Sequence, residues 1–264
     1  MKKVIAWFSG GITSAVACHM AIEMYGVDEV EVVFLDTQNE HPDTYRFLID
    51  CEKWYGTQIQ FARNERYENI EAVWDRFNSL NVGTGAICSS ELKRAVRLKI
   101  QKENPKAIQI FGFDIDEPKR ALAMKLNYPD ANPEFPLIWR ALRKKDCIKI
   151  VQDAGLEIPE AYKMGFSNNN CLKTGCVQGG IGYWQKMKKE YPEVFNAMAQ
   201  REHKFTDIKG EPVTICKDQA KGGGLVFLLP HPDFPMIKDI SQMRGREPKS
   251  LTECNGFCGT LDLQ

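Results

Sequence analysis

A short apolar run that passes straight into a glycine turn and then into a helix dominates the start of the chain. Val4-Ile5-Ala6-Trp7-Phe8 reads as a strand, Ser9-Gly10-Gly11-Ile12-Thr13-Ser14 as the turn, and residues 15–22 as the helix. A continuous apolar strand of this kind belongs inside a parallel sheet covered by helices. The first helical turn presents backbone N–H groups that have no partner within the helix. Together with the positive end of the helix dipole they suit a phosphate. Gly10 and Gly11 permit close backbone approach, and the hydroxyls of Ser9, Thr13 and Ser14 add donors. The alternative is a tight turn in which a Ser or Thr caps the helix and nothing more. Neither Gly-x-x-x-x-Gly-Lys-Ser/Thr nor a Gly-x-Gly-x-x-Gly after the strand occurs, which argues against a P-loop kinase and a dinucleotide dehydrogenase.

The 264 residues suit one large α/β domain, alone or with a smaller appendage. Lys+Arg and Asp+Glu both number 35, so net charge exerts no pull toward nucleic acid or membrane. No apolar run is long enough to span a bilayer, and the first residues lack a signal-peptide pattern. The expectation is a cytoplasmic protein with no membrane partner. The nine cysteines then do not form a secreted disulfide framework. Cys18 and Cys51 fall in helical patterns and read as core; Cys147 and Cys216 have no partner at short spacing and read as structural. Cys88, Cys171, Cys176, Cys254 and Cys258 sit near turn residues, where ligands and reactive thiols are found.

Strand patterns at 30–35, 58–62 and 107–111 alternate with helical patterns at 43–55, 70–80 and 89–102. This alternation predicts an α/β fold with a doubly wound parallel sheet. Ligands in such sheets bind beyond the carboxyl ends of the strands. Ser9, Asp36 and Gly112 stand at three of those ends and should border one crevice, with Lys93 or Arg97 on its phosphate side. After about residue 155 the pattern becomes irregular and glycine-punctuated. The expected division is a nucleotide-binding domain over 1–155 and a smaller Cys-containing region over 156–264 packed on it, with helix in 183–204 interrupted or restarted at Pro192.

Several side chains carry candidate chemistry. Asp36 can bind ribose hydroxyls or Mg²⁺, or can cap a helix. Lys93, Arg94 and Arg97 lie within two turns of one helix and can neutralise phosphates, or form a solvated basic face. Glu117 and Arg120 are spaced to pair across one turn. Cys171 with Cys176, and Cys254 with Cys258, make two close thiol pairs that can complete a zinc site or hold a [4Fe–4S] cluster; the alternative is unligated thiols in two turns. His41, His203 and His231 show no metal-ligand spacing, and His19 lies in a helical pattern. Tyr183, Trp184 and Tyr191 can stack on a base, but core packing suits them better.

The first turn resembles the PP-loop, Ser-Gly-Gly-x-x-Ser, of the adenine-nucleotide alpha-hydrolase superfamily, with Ile12-Thr13 where the commonest form has Lys-Asp. Asp36-Thr37 with Pro42-Asp43-Thr44 resembles the Asp-Thr-Gly and Pro-Glu-Thr segments of the phosphoadenylyl-sulfate (PAPS) reductase family. Cys88 through Leu92-Lys93, Gly112 with Glu117 and Arg120, Pro136-Leu137 with Trp139, and Asp146 resemble further segments of that family in the same order. The resemblance extends from Ser9 to about Gly180, roughly two thirds of the chain. It implies a Rossmann-like, adenine nucleotide alpha-hydrolase-like fold with ATP or PAPS and Mg²⁺ as ligands. By that resemblance Ser9, Gly10, Gly11, Thr13, Ser14, Asp36, Thr37, Arg97, Gly112 and Glu117 bind nucleotide, and Ser9, Ser14, Lys93 and Arg120 act in catalysis.

Three activities follow from it. The first adenylates a substrate, releases pyrophosphate and lets a sulfur donor displace AMP, delivering sulfur to a nucleobase of a nucleic acid or to a small metabolite. The second reduces PAPS or adenylyl-sulfate to sulfite with a thioredoxin-like reductant. Glu253-Cys254 is similar to the reductase tail Glu-Cys-Gly-Leu-His, but Asn255-Gly256-Phe257-Cys258 replaces its end. The third is a nucleotide-binding module without turnover. Relatives of both enzymatic kinds often carry an iron–sulfur cluster, which makes Cys88 with Cys171 and Cys176 a competing ligand set to Cys171, Cys176, Cys254 and Cys258.

Overall fold

The computed structural model describes residues 3–82, 85–169, 171–220, 222–249 and 251. β1 (Val4–Phe8) is buried along its whole length and leads through the glycine turn into α1 (Ile12–Tyr25). β2 (Val30–Leu35) precedes α2 (Pro42–Tyr55). His41 caps α2 by accepting the Asp43 N–H on Nδ1 at 3.2 Å, Pro42 fits the first helical position, and Gly56 ends the helix at φ 68°. β3 (Gln60–Ala62) is shorter than the 58–62 expected, because the Ile59 N–H is taken by the Glu52 carboxylate at 2.9 Å. α3 (Ile70–Phe77) starts at an Asn69 cap and stops at left-handed Asn78, before the expected residue 80.

A short antiparallel pair, β4 (Asn81–Val82) and β5 (Gly85–Ala86), follows. The expected helix 89–102 instead opens with a π-helical stretch, Ser89–Arg94, that continues into α4 (Ala95–Glu103). Its wider turn is a feature that hydrophobic periodicity does not announce. β6 (Ile108–Ile110), α5 (Pro118–Asn127), β7 (Pro133–Glu134), α6 (Pro136–Trp139) and α7 (Lys144–Asp153) complete this part.

The sheet order is β3-β2-β1-β6-β7, with every pairing parallel. This is the doubly wound α/β arrangement expected from the alternating pattern. The order reverses between β1 and β6, which creates a crevice at their carboxyl ends. Side chains alternate across the sheet. Val4, Ala6, Phe8, Val32 and Phe34 pack with α1, α2 and α7 through Val16, Phe47 and Val151. Ile5, Trp7, Val33 and Leu35 pack on the other face with Val96, Phe111, Phe113 and Met124.

The rest of the chain adds α8 (Glu160–Lys163), α9 (Ile181–Glu190), α10 (Pro192–Lys209), and the antiparallel β8 (Cys216–Lys217) and β9 (Leu225–Val226). Pro192 restarts the helix, as expected from its place at the first helical position. Trp184, Phe195, Phe205 and Leu228 build a third core with Trp74, Leu80 and Leu92 from the earlier part. Glu202 lies at its centre, 0% exposed, accepting N–H bonds from Ile215 at 2.6 Å and Leu228 at 2.7 Å. Burial pushes its carboxyl up to about 8, against the opposing effect of those two donors. Among the described residues no helix is long and apolar enough to cross a membrane.

Candidate functional site

The turn after β1 is organised by two hydroxyls. Ser14 Oγ donates to the Gly11 carbonyl at 2.9 Å and accepts the Ser9 N–H at 3.0 Å. Ser9 Oγ lies 2.8 Å from Ser14 Oγ and accepts the Gly11 N–H at a longer 3.4 Å. Since the Ser14 proton is used on Gly11, the Ser9 hydroxyl is the donor between the two. Gly10 has φ 82°, and a Cβ there would stand 2.7 Å from Thr44 Cγ2, so both backbone and space require glycine. Gly112, beyond β6, lies against the start of α1: a Cβ on it would be 2.6 Å from Ser14 Cα and 2.7 Å from Ser14 N. Parallel register puts Asp36, after β2, at the same edge of the sheet. The structure therefore assembles Ser9, Gly10, Gly11, Thr13, Ser14, Asp36 and Gly112 along the carboxyl end of the central strands.

The first turn of α1 is not left entirely open. The Ile12 N–H donates to the Tyr162 hydroxyl at 3.2 Å, because a buried helix start needs partners for its donors. Asn169 Nδ2 donates to the Gly10 carbonyl at 2.9 Å and to Thr44 Oγ1 at 3.0 Å. Thr13 is 1% exposed, and its hydroxyl has no hydrogen-bond partner among the described residues. A bound phosphate oxygen is one group that can satisfy such a donor.

Around Asp36 the polar groups are tightly held. Its Oδ1 accepts the Gln38 N–H at 2.8 Å and the Tyr45 hydroxyl at 2.9 Å. Burial, then the Asp36 carboxylate as hydrogen-bond acceptor, push the Tyr45 phenol above its ordinary range; Glu40 and Cys171 act in the same direction. Thr37 donates to Glu40 at 2.9 Å, and Lys93 Nζ lies 3.5 Å from the same oxygen, with all three side chains buried. Beside Asp36 opens a groove of about 930 Å³ whose wall includes Phe61, Arg63, Arg66, Lys99 and Ile100.

The remaining predicted residues make specific contacts. Arg97 is fully buried, donates to Gln101 at 2.8 Å and stands 4.9 Å over the Tyr128 ring; burial pushes its guanidinium down to about 10. Glu117 and Arg120 pair across the first turn of α5, and the Arg120 guanidinium lies 4.4 Å over Phe113. Asp114 accepts the Lys144 N–H at 3.2 Å, and burial raises its carboxyl.

Cys171 is buried in the third core, and Cys88 and Cys176 pack against it; the Cys176 N–H donates to Tyr183 Oη at 3.1 Å. Cys254 and Cys258 lie outside the described residues. Cys18, Cys51, Cys147 and Cys216 are buried, and burial pushes the Cys51 thiol up to about 12. Tyr183 and Trp184 are likewise buried core residues. Asp207, His231 and Asp233 come together in space. His231 Nδ1 accepts the Asp233 N–H at 3.2 Å, which leaves the proton on Nε2, facing Asp207 at 3.3 Å.

Tyr45, Tyr162 and Asn169 are site residues that sequence reasoning missed. Asn169 falls in the irregular stretch after residue 155, which carries no periodic signal. Nothing in the pattern around Tyr162, 150 positions after its partner, marks it out.

A parallel sheet that reverses order beside a Ser-Gly-Gly turn defines a doubly wound α/β domain with a glycine turn at its switch point. Residues 3–107 match the family model of the phosphoadenosine phosphosulfate reductase domain. An uncharacterized protein, MJ0066 of Methanocaldococcus jannaschii, is 22% identical over 204 residues, 74% of this chain, and the chain spans 40% of that relative's length. The fold is also similar to a phosphate complex of phosphoadenylyl-sulfate (PAPS) reductase from Candida auris. That likeness has a TM-score of 0.44 and 13% identity, covering 63% of this chain and 79% of the other.

Proposed function

We propose that this chain binds an adenine nucleotide with its phosphates on residues 9–14, adenylates a substrate oxygen with release of pyrophosphate, and serves sulfur transfer to a nucleobase or a small metabolite. The observation that carries the reading is the Ser9–Ser14 hydroxyl pair, set at the order reversal of the sheet and backed by Gly112. In the reaction the acceptor oxygen forms a bond to the α-phosphorus as the bridging bond to the β-phosphate breaks. Pyrophosphate leaves with that electron pair. The Ser9 and Ser14 hydroxyls and the loop amides would stabilise charge on the phosphate oxygens as it develops. Asp36 would hold Mg²⁺ or the ribose hydroxyls, the former neutralising the leaving pyrophosphate when bound. A sulfur nucleophile then attacks the activated carbon, and AMP departs.

Cys171, Cys176 and either Cys88 or the pair Cys254 and Cys258 would hold zinc or an iron–sulfur cluster. Soft thiolates backed by an apolar core suit either group, which would stabilise the C-terminal region through coupled binding and folding. A second reading, reduction of PAPS with release of sulfite, is favoured by the family matched at residues 3–107.

The test is calorimetry with ATP and with PAPS, alongside assays for pyrophosphate and for sulfite. Gly10→Val places a branched side chain at φ 82° and against Thr44. A folded Gly10→Val protein is expected to lose nucleotide binding; unchanged affinity rejects the site. Pyrophosphate from ATP supports the first chemistry, sulfite from PAPS the second, and binding without either product indicates a non-catalytic module.

A further inference from the structure

Two contacts that shape the turn come from residues far beyond the part matched by the family model, which ends at residue 107. Tyr162 accepts the Ile12 N–H, and Asn169 reaches Gly10. The second contact falls on the least constrained bond of the loop. The Gly10–Gly11 peptide has glycine on both sides, so steric preference alone does not fix its orientation. It is trans, and in a trans peptide the C=O of one residue and the N–H of the next point in opposite directions. Whatever holds the Gly10 carbonyl therefore aims the Gly11 N–H.

Asn169 is built to do this. Its side chain is 4% exposed, so water does not compete for it. One amide proton goes to the Gly10 carbonyl at 2.9 Å and the other to Thr44 Oγ1 at 3.0 Å, which anchors the carboxamide on α2. On the far side of the peptide the Gly11 N–H meets Ser9 Oγ at 3.4 Å. That is longer than an ordinary N–H···O bond and is readily exchanged for an anion.

We infer that Asn169 is a positioning residue of the phosphate loop: by fixing the Gly10 carbonyl it turns the Gly11 N–H toward the phosphate. The inference rests on the nucleotide reading of residues 9–14, and it adds that the C-terminal region sets the geometry of that loop.

The experiment compares the wild-type chain with Asn169→Ala, Asn169→Asp and Thr44→Val. Hydrogen exchange of the Gly11 amide is followed by NMR without ligand, and ATP affinity by calorimetry. In Asn169→Ala the Gly11 amide is expected to exchange about tenfold faster and ATP to bind about tenfold more weakly, the effect of losing a bond to a buried carbonyl. Asn169→Asp should lose more, because it turns a carboxylate on the Gly10 carbonyl and adds negative charge near the anion. Thr44→Val keeps Asn169 but removes its anchor, and should show a smaller change in the same sense even if the Asn169 variants fail to fold. Unchanged Gly11 exchange in folded Asn169→Ala or Thr44→Val overturns the inference. So does unchanged ATP affinity in a variant whose wild type binds ATP. If the wild type itself binds no nucleotide, the functional reading fails instead, and Gly11 exchange alone decides whether Asn169 sets the peptide.

Discussion

Glu202 offers a quantitative test of how the C-terminal region is held together. Its carboxyl is 0% exposed and, among the described residues, receives only backbone donors, from Ile215 and Leu228. Burial raises its pKa from 4.5 to about 8. Between those values an unfolded chain has already released the proton while the native state still binds it. The unfolded state then holds fewer protons, so native stability falls as pH rises. The slope is about 1.4 kcal/mol per unit, and over roughly 3.5 units the loss approaches about 5 kcal/mol. Its full extent is reached above pH 8, and none of it is present below pH 4.5. Glu202→Gln keeps the shape without a titrating proton. Urea unfolding of both proteins from pH 5 to 9 gives the stability difference between them at each pH, in which titrations common to both cancel. Wild type is expected to lose ground steadily against the variant up to about pH 8. A flat difference, or one in which wild type gains with pH, would refute the reasoning. It would mean that two short backbone N–H bonds outweigh the burial of the charge.

Further substitutions address the site and its thiols. Gly112→Ala drives a methyl into the backbone of Ser14 and should cost about 1–3 kcal/mol in denaturant unfolding while weakening ATP binding; a fully stable variant would show that α1 moves freely away from β6. Cys171→Ser and Cys176→Ser should each strip the same metal from anaerobically purified protein. Loss in Cys88→Ser but not in Cys254→Ser selects the three-thiol set, the converse selects the four-thiol set, and wild-type protein free of zinc and iron rejects both.

The sheet was legible because burial of its central strands is written as uninterrupted apolar residues, and Gly56 and Pro192 mark helix boundaries by backbone geometry alone. Ser9, Asp36 and Gly112 could be placed at one edge because parallel strands put all their carboxyl ends on the same side. Less visible were features decided by long-range partners. The π-helical start at Ser89–Arg94 leaves no periodic trace. Glu52 shortens β3 through a single side-chain contact. The partners of Gly10 and Ile12 lie 159 and 150 positions away, so no local pattern could name them. Sequence placed Lys93 or Arg97 on the phosphate side of the crevice, with a solvated basic face as the alternative; the structure buries both, one beside Glu40 and the other against Tyr128.

The position of β6 limits how this architecture can be inherited. The stretch that matches the PAPS reductase family model stops at residue 107, one residue before a strand that lies between β1 and β7. A gene segment cut at that point would turn β1 into a bare edge, exposing five consecutive apolar residues with unsatisfied backbone groups, a template for aggregation. Extending the segment through β7 closes the sheet but leaves Trp74 and Leu92 without α9 and α10, and Gly10 without Asn169. The recognised stretch is therefore not a portable cassette. The matched stretch and the residues that follow it share one sheet, one core and the Asn169–Gly10 contact.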